Sequence, residues 1–441
     1  MNKIHIETYG CRMNICDSEI IMSLLQHSGN CFVPAPKEAD IIILNSCSVR
    51  EDGHNKIFER LRAFAQEIED DKRSVIIAGC FASLIDTEVF SLYPFVKAIV
   101  NPNCYRLLPQ IAEQIANGER RIRKIVIDNN EMYGDVLPLR YMEGQTTAAI
   151  TVMKGCNQFC SYCIEPFTRG REHCRDVDSI LHEAHDIMNN GYRELTLVGH
   201  IIDKYRWTDP KSGKTTDFAG LLACVAESCP QLRIKFLSSH PISFNDAIIR
   251  IIASHPNIMH VVHLPLQSGS DRILEMMHRG YNVDDFRKRI ASIRKQIPDM
   301  SIITDVMVGF CSESDADFNA TCQLIDELKF DDINIFRFSM RSHTKAAGCY
   351  TDDVTEIVKL ERADIIRHKK EQIRLQLYEN EIENTINVIA EGIWRDGWWY
   401  GRDAKHRITT FIPNADTKVN QNVKIKIKTA TADNMSGEII E

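Results

Sequence analysis

Between residues 147 and about 340, six strand-like apolar runs recur with helical patterns between them, and this recurrence restricts the fold of the 441-residue chain more than any other feature. The runs are TAAITVM (147–153), ELTLVG (194–199), RIKFLS (233–238), HVVHLP (260–265), SIITDVMVGF (301–310) and INIFRFS (333–339). Successive strand–helix units join parallel strands through right-handed crossovers, so the expected architecture is α/β, either an open sheet or a partial barrel. In such folds the C-terminal strand ends hold the chemistry.

The flanks read differently. Upstream, IHIETY (4–9), a helix from Ser18 to Gln26, DIIILN (40–45), a helix after Arg50, SVIIAG (74–79) and a helix over 104–117 predict a small parallel α/β domain. Its expected end is the basic run RRIRK (120–124), otherwise a solvated charged face, with the irregular polar stretch 128–146 as a linker. Downstream, a charged helical segment at 354–381 precedes NTINVIAEG, WWYGR, RITTFIP, NVKIKIKTAT and MSGEII, which predict a small antiparallel β-barrel. Three domains are expected, at 1–125, 146–376 and 380–441.

With 53 Lys and Arg against 61 Asp and Glu, the net charge is −8, which excludes wholesale coating of nucleic acid but leaves room for one basic module. Residues 384–441 carry a net +1. There Lys424, Lys426 and Lys428 alternate onto one strand face near Trp394, Trp398, Trp399 and Tyr400, as an RNA-binding surface with stacking aromatics would. A half-buried strand with a solvated lysine face is the alternative. No run approaches the ~18 apolar residues of a membrane span, and the start MNKIHIETYGC lacks a signal pattern, so a cytoplasmic protein is expected. In a reducing compartment the 15 cysteines point to metal or catalytic work.

Three of them, Cys156, Cys160 and Cys163, form C-x3-C-x2-C in GCNQFCSYCIEPFTRG, directly after the first barrel strand. Three thiolates on a [4Fe–4S] cluster leave one iron open to substrate or cofactor. Zinc normally takes a fourth ligand at paired spacing, for which only Cys174 offers itself nearby. Three further cysteines end predicted strands: Cys11 after ETYG, Cys47 after ILNS and Cys80 after IIAG. Parallel strands bring their C-terminal ends together, so these thiolates can share a second cluster.

The C-x3-C-x2-C run after a barrel strand resembles the radical S-adenosylmethionine (SAM) superfamily, with its partial (β/α)6 barrel. The whole chain resembles the radical SAM methylthiotransferases, which combine an N-terminal auxiliary-cluster domain, a SAM barrel and a C-terminal TRAM-like RNA-binding barrel. Its tRNA-modifying MiaB-type branch is matched by GCRMNICDSE (10–19), NSCSVRE (45–51), GCNQFCSYCIEPFTRGRE (155–172), SSHP (238–241), HLPLQSGSDRIL (263–274) and TDVMVGF (304–310). The resemblance implies two [4Fe–4S] clusters, a SAM-cleaving one on Cys156, Cys160 and Cys163 and an auxiliary one on Cys11, Cys47 and Cys80. It implies SAM contacts from Tyr162, Gly199, Gln267 and Ser268. The implied reaction is methylthiolation of C2 of N6-isopentenyladenosine beside the tRNA anticodon, with SAM as methyl donor and radical source. An electron donor such as flavodoxin or ferredoxin, a basic rim including Arg169, Arg171 and Arg175, and a monomeric state complete the expectation.

The chain departs from the family pattern at several places. Gly199-His200-Ile201-Ile202 stands where the family has Gly-Gln-Asn-Val, Glu165 replaces an apolar residue, Arg12 replaces Gln, and Ser342-His343-Thr344 replaces Pro-Gly-Thr. A carboxylate at 165 near an anionic cluster is unfavourable unless it meets solvent, Arg169 or Arg171. Two other readings stay open: the same chemistry on threonylcarbamoyl-adenosine or a ribosomal protein, and a non-catalytic iron–sulfur protein that binds tRNA.

Overall fold

Short runs of β-branched and aliphatic residues separated by helix-forming stretches do become parallel strands with helical crossovers. The computed structural model describes residues 1–48, 51–67, 73–127, 130–140 and 146–440. Packing divides the chain into two compact units: Met1–Glu143 with Met153–Phe159 and Cys163–Arg175, and Gly144–Val152 with Cys160–Tyr162 and Asp176–Glu441. This grouping cuts across the three expected segments, with 126–143, 153–159 and 163–175 in the first unit. Residues 163–175 pack with the N-terminal domain, where Arg169 pairs with Asp17, and the C-terminal barrel packs with the central one, where Arg233 and Lys235 reach Arg402 and His406.

In the first unit, β1 (Lys3–Tyr9), β2 (Cys31–Phe32), β3 (Ile41–Ser46), β4 (Ser74–Gly79), β5 (Val96–Val100) and β6 (Ile122–Lys124) form one all-parallel sheet in the order β2-β1-β3-β4-β5-β6. Ile41–Ser46 and Ser74–Gly79 are buried throughout, as strands covered on both faces must be. One face packs Ile4, Ile43, Ile76 and Val100 against the helices Arg12–His27 and Leu108–Ala116; the other packs Ile42, Leu44, Val75 and Ile77 against Ile57, Leu61 and Phe64.

Three expectations change here. The first helix begins at Arg12 rather than Ser18, because Asn14, Asp17, Ser18 and Glu19 are buried polar residues that interrupt its apolar period. RRIRK is more than a solvated charged face: Ile122–Lys124 adds the sixth and last strand of this sheet. The described part of the expected linker, 130–140, packs on this unit, where Tyr133 is buried and donates its hydroxyl to Pro102 O, and Arg106 pairs with Glu131 and Asp135. Val49 and Arg50 of the NSCSVRE motif, and 128–129 and 141–145 of the linker, lie outside the described residues.

The first barrel strand also ends early. β7 (Thr147–Thr151) stops before Val152, and β8 (Met153–Lys154) pairs antiparallel with β9 (His173–Cys174) in the first unit. In the second unit β10 (Glu194–Val198) joins β7, and a hairpin of β11 (Arg206–Thr208) and β12 (Thr215–Asp217) follows. β13 (Arg233–Phe236) pairs with β10, and β14 (Val261–His263), β15 (Ser301–Val308) and β16 (Asp332–Arg337) form the other half. A parallel bridge between Ile234 and Ile258 joins the halves, giving six parallel strands in chain order, a partial (β/α)6 barrel.

After the helix Glu356–Glu379, β17 (Thr385–Arg395), β18 (Trp398–Arg402), β19 (Ile408–Phe411), β20 (Asn422–Ala430) and β21 (Met435–Ile439) close a barrel in the order β17-β18-β19-β21-β20 around Val388, Phe411, Ile425, Ile427 and Met435. It is not wholly antiparallel, since β19 and β21 pair parallel. No helix among the described residues is long and apolar enough to cross a membrane.

Candidate metal centres

The N-terminal sheet changes winding direction between β1 and β3, and in doubly wound sheets ligands bind in the crevice outside the strand ends at that point. Cys11 follows β1 as the N-cap of the helix Arg12–His27, Cys47 follows β3, and Cys80 opens a 3-10 turn after β4. The backbone N–H of Cys47 donates to Tyr9 O (2.9 Å), tying the first two ends together. Glycine makes the close approach possible. A Cβ on Gly10 would stand 2.4 Å from Asn14 Oδ1 and 2.8 Å from Cys47 Cβ, and one on Gly79, at φ +89°, 2.4 Å from both Ser46 O and Asn45 Oδ1. Gly79→Ala is therefore expected to cost more than the ~1 kcal/mol of a strained φ, and to lower the iron retained by the N-terminal thiolates. Iron and sulfide content after reconstitution, alongside a thermal melt, checks this; full iron content with an unchanged melt contradicts it.

The three thiols differ electrostatically. The hydrogen bond from Cys47 brings Cys11 down to about 6 despite burial, and that same bond, with burial, pushes Cys47 far up. Burial lifts Cys80 to about 12 against the nearby charge of Arg169. Around them, Asn14 Oδ1 accepts from Cys11 N (3.3 Å) and Asn45 Nδ2 donates to Asn14 O (2.8 Å), which fixes the first turn of the helix. Arg169, on the short helix Glu165–Arg169, donates Nε–H to Cys80 Sγ (2.9 Å) and both terminal nitrogens to Asp17 (3.2 and 2.6 Å). Burial opposes the Arg169 charge, and Asp17 and Cys80 outweigh it, keeping the guanidinium well above its ordinary value. The charge of Glu165, at the start of the same short helix, opposes ionisation of all three cysteines.

These positions correct the expected RNA rim. Arg169 and Arg175 are 2% and 5% exposed, so neither is available to phosphates, and Arg171 is the exposed member of the three. Arg169 and Asp17 were not legible as one pair, being 152 residues apart.

In the C-x3-C-x2-C run, Cys156 and Cys163 belong to the first unit and Cys160 to the second. Cys156 is buried, with its N–H on Gly170 O (3.0 Å). Gly155 at φ +73° precedes it, where a Cβ would overlap Arg171 O at 1.8 Å. Phe159 takes a left-handed φ of 49° and stays exposed, edge-on to exposed Phe167 at 6.2 Å. Cys160 is buried and accepts from Arg279 Nη1 (3.3 Å); the same nitrogen lies 3.4 Å from Tyr162 Oη, and Arg279 Nε donates to Tyr281 Oη (3.2 Å). Sequence reasoning missed Arg279, since nothing local marks a guanidinium that meets a thiolate 119 residues away.

The expected SAM contacts divide. Gly199 directly follows β10. Gln267, in a left-handed backbone at φ 72°, bridges to Val306 of β15 and holds a buried Oε1 without a hydrogen-bond partner among the described residues. Ser268 is fully buried, its hydroxyl 3.4 Å from Thr321 Oγ1 and accepting from Ser270 N (3.2 Å), which ties it to the helix Asp315–Leu328. Ile201 and Ile202 fill the core, and His343 is exposed.

Both cysteine sets fit iron–sulfur clusters by donor chemistry: three soft thiols each, glycines that hold the backbone clear, and N–H donors on Cys80 and Cys160 of the kind that tune cluster sulfur. Among the described residues no three His, Cys, Asp or Glu gather as around a single metal ion. The buried acceptor of Gln267 fits a polar cofactor in the barrel.

Comparison with known proteins agrees with this layout. Residues 3–101 match the model of Uncharacterized protein family UPF0004, and residues 150–325 that of the Radical SAM superfamily. The chain is 36% identical to the tRNA-2-methylthio-N(6)-dimethylallyladenosine synthase of Porphyromonas gingivalis, over 100% of this chain and 95% of that protein. The protein of the same name from Azobacteroides pseudotrichonymphae is 37% identical over 99% and 97%. Among solved structures, the radical SAM methyltransferase TsrM from Kitasatospora setae, with cobalamin and a [4Fe-4S] cluster bound, superposes with TM-score 0.55 at 12% identity, over 91% of this chain and 77% of that one. The cobalamin-dependent radical enzyme OxsB also gives 0.55 at 12%, over 85% and 56%. Those two show a shared fold; with the full-length relatives and the two cysteine sets, they establish that the chain belongs to the radical SAM methylthiotransferases, in the branch of the tRNA-2-methylthio-N(6)-dimethylallyladenosine synthases.

Proposed function

We propose that this chain methylthiolates C2 of N6-isopentenyladenosine next to the anticodon of tRNA. The observation that carries this reading is the meeting of Cys11, Cys47 and Cys80 at the switch point of a domain that continues into a radical SAM barrel. An adenine C2–H has neither a leaving group nor useful acidity, so acid–base side chains alone cannot install sulfur there. When bound, the two [4Fe–4S] clusters and SAM supply the one-electron, methyl-transfer and sulfur chemistry.

The chain's own part is to hold and to exclude. Cys156, Cys160 and Cys163 would hold the SAM-cleaving cluster, and Cys11, Cys47 and Cys80 the auxiliary one. Burial of Cys156, Cys160, Cys47 and Cys80 keeps water from most of these thiolates. When SAM is bound, Tyr162 would offer its ring to the adenine, Gly199 a backbone group to the amino group, and Gln267, with a buried acceptor, and Ser268 would complete the contacts.

Segments 1–125, 146–376 and 380–441 would serve as auxiliary-cluster domain, SAM barrel and TRAM-like RNA-binding barrel. On the last, Lys424 and Lys428 are exposed, while Lys426 and Lys428 share Glu383 (2.8 and 3.3 Å), which leaves Lys424 the least compensated cation of that strand. Trp399 packs on the barrel core, and Trp394 is exposed against Tyr400 and free to stack a base. The chain would act in the cytoplasm as a monomer, with electrons from a donor such as flavodoxin or ferredoxin.

The test is an anaerobic assay of reconstituted protein with SAM, a reductant and isopentenylated tRNA, read by mass spectrometry. Formation of 5′-deoxyadenosine together with the methylthiolated nucleoside is expected. Deoxyadenosine without modified nucleoside overturns the substrate; neither product, despite two intact clusters, overturns the activity.

A further inference from the structure

The short helix Glu165–Arg169 carries two opposite charges four residues apart, hence on one helix face; Arg169 contacts Cys80 Sγ, and the charge of Glu165 opposes ionisation of the same thiol. Thr168 anchors the helix, its Oγ1 3.3 Å from Ser48 Oγ and its carbonyl accepting from Ser83 Oγ (3.3 Å), so its approach to Cys80 is fixed by neighbours of Cys47 and Cys80. Arg169 then places Nε 2.9 Å from Cys80 Sγ, while Asp17 takes its other two nitrogens and holds the fork in one orientation. No ordinary stability argument calls for this arrangement, because burying a guanidinium against a thiol costs desolvation that a packed apolar side chain would avoid.

We propose that Arg169 is a positioning residue of the auxiliary centre: it orients Cys80 and raises the reduction potential of the cluster held there, with Glu165 acting in the opposite sense. The proposal rests on the assignment of that cluster to Cys11, Cys47 and Cys80. Adding one electron makes a thiolate-bound cluster more negative, with no bond formed or broken. A cationic N–H donor on a ligand sulfur stabilises that reduced state, and a neighbouring carboxylate destabilises it.

The experiment uses the full chain with Cys156, Cys160 and Cys163 all changed to Ala, so that only the auxiliary cluster loads. Its reduction by dithionite through mediators is followed by electron paramagnetic resonance. Absence of any cluster signal in this parent overturns the underlying assignment and the proposal with it. With the parent loaded, Arg169→Gln is expected to shift the reduction equilibrium at least tenfold toward the oxidised form, about 59 mV for one electron. Glu165→Gln is expected to shift it toward the reduced form. Arg169→Lys, which keeps a charge against Asp17 but loses the fixed fork, should lie between parent and Arg169→Gln, and it decides the matter if the Gln variant fails to fold. Potentials unchanged in the loaded variants, or moved in the same direction by both charge removals, overturn the proposal, since a purely structural role gives no opposite signs.

Discussion

Cys160→Ala abolishes both 5′-deoxyadenosine and methylthiolated nucleoside, with a loss of at least about 10³-fold, or ~4 kcal/mol in the barrier. No side chain can substitute for a missing ligand of a cluster that has only three, because each thiolate holds its own iron. The protein itself should survive the change: Arg279 loses one sulfur acceptor but keeps Tyr162, Tyr281 and the Pro265 carbonyl. Cys11, Cys47 and Cys80 do not depend on Cys160 and should retain their iron, so iron content falls by about half rather than to zero. A Cys160→Ala protein that still methylthiolates tRNA would sink the assignment.

The second large effect concerns stability. Glu194, the first residue of β10, has a side chain only 2% exposed and accepts from Lys235 Nζ (2.5 Å) and Arg233 Nη2 (3.0 Å). Those cations extend to the C-terminal barrel, Lys235 to His406 Nδ1 (3.0 Å) and Arg233 Nη1 to Arg402 O (2.9 Å), so one carboxylate holds both cations of the seam between two barrels. Burial raises its pKa, and Lys235 and Arg233 overcome that and hold it at about 2. A carboxylate depressed on folding contributes stability that is present above its unfolded value near 4.5 and is lost as pH falls from there toward 2; the difference amounts to about 3 kcal/mol. His406, held near 3 by burial and by the charge of Lys235, adds a loss of the same sign as pH falls below about 6.5.

Glu194→Ala leaves two cations without their carboxylate and is expected to cost about 3–5 kcal/mol at pH 7. Glu194→Gln isolates the charge: its melting curve should lie below wild type at pH 7 and converge with it near pH 2. Denaturation midpoints from pH 7 to 2 check this, and parallel curves across that range would refute the role of the carboxylate.

Much of this was legible from residues alone, for a physical reason. Parallel strands buried on both faces must be continuous apolar runs, so β3, β4 and β10 announce themselves, whereas β1, β15 and β16, only partly buried, show as alternation or as short apolar stretches. Crossovers of one hand bring the C-terminal ends of neighbouring parallel strands to one edge, and that places Cys11, Cys47 and Cys80 together from strand order alone. Where polar residues are buried, the signal fails. The helix Arg12–His27 hides its first turns because Asn14, Asp17, Ser18 and Glu19 face inward, and the stretch 130–140 looks like a linker although Tyr133 is an anchor.

The cysteine spacing and the strand periodicity thus belong to the sequence, because they depend on covalent neighbours and on which side chains avoid water. The roles of the charged residues were decided only by the tertiary structure. Arg169 reads in the chain as a cation for RNA and in the fold is sealed between Asp17 and Cys80; Arg279 and Glu194 carry no local mark at all. A charge acquires its meaning from partners distant in sequence, and the energy of burying it depends on whether the fold supplies them.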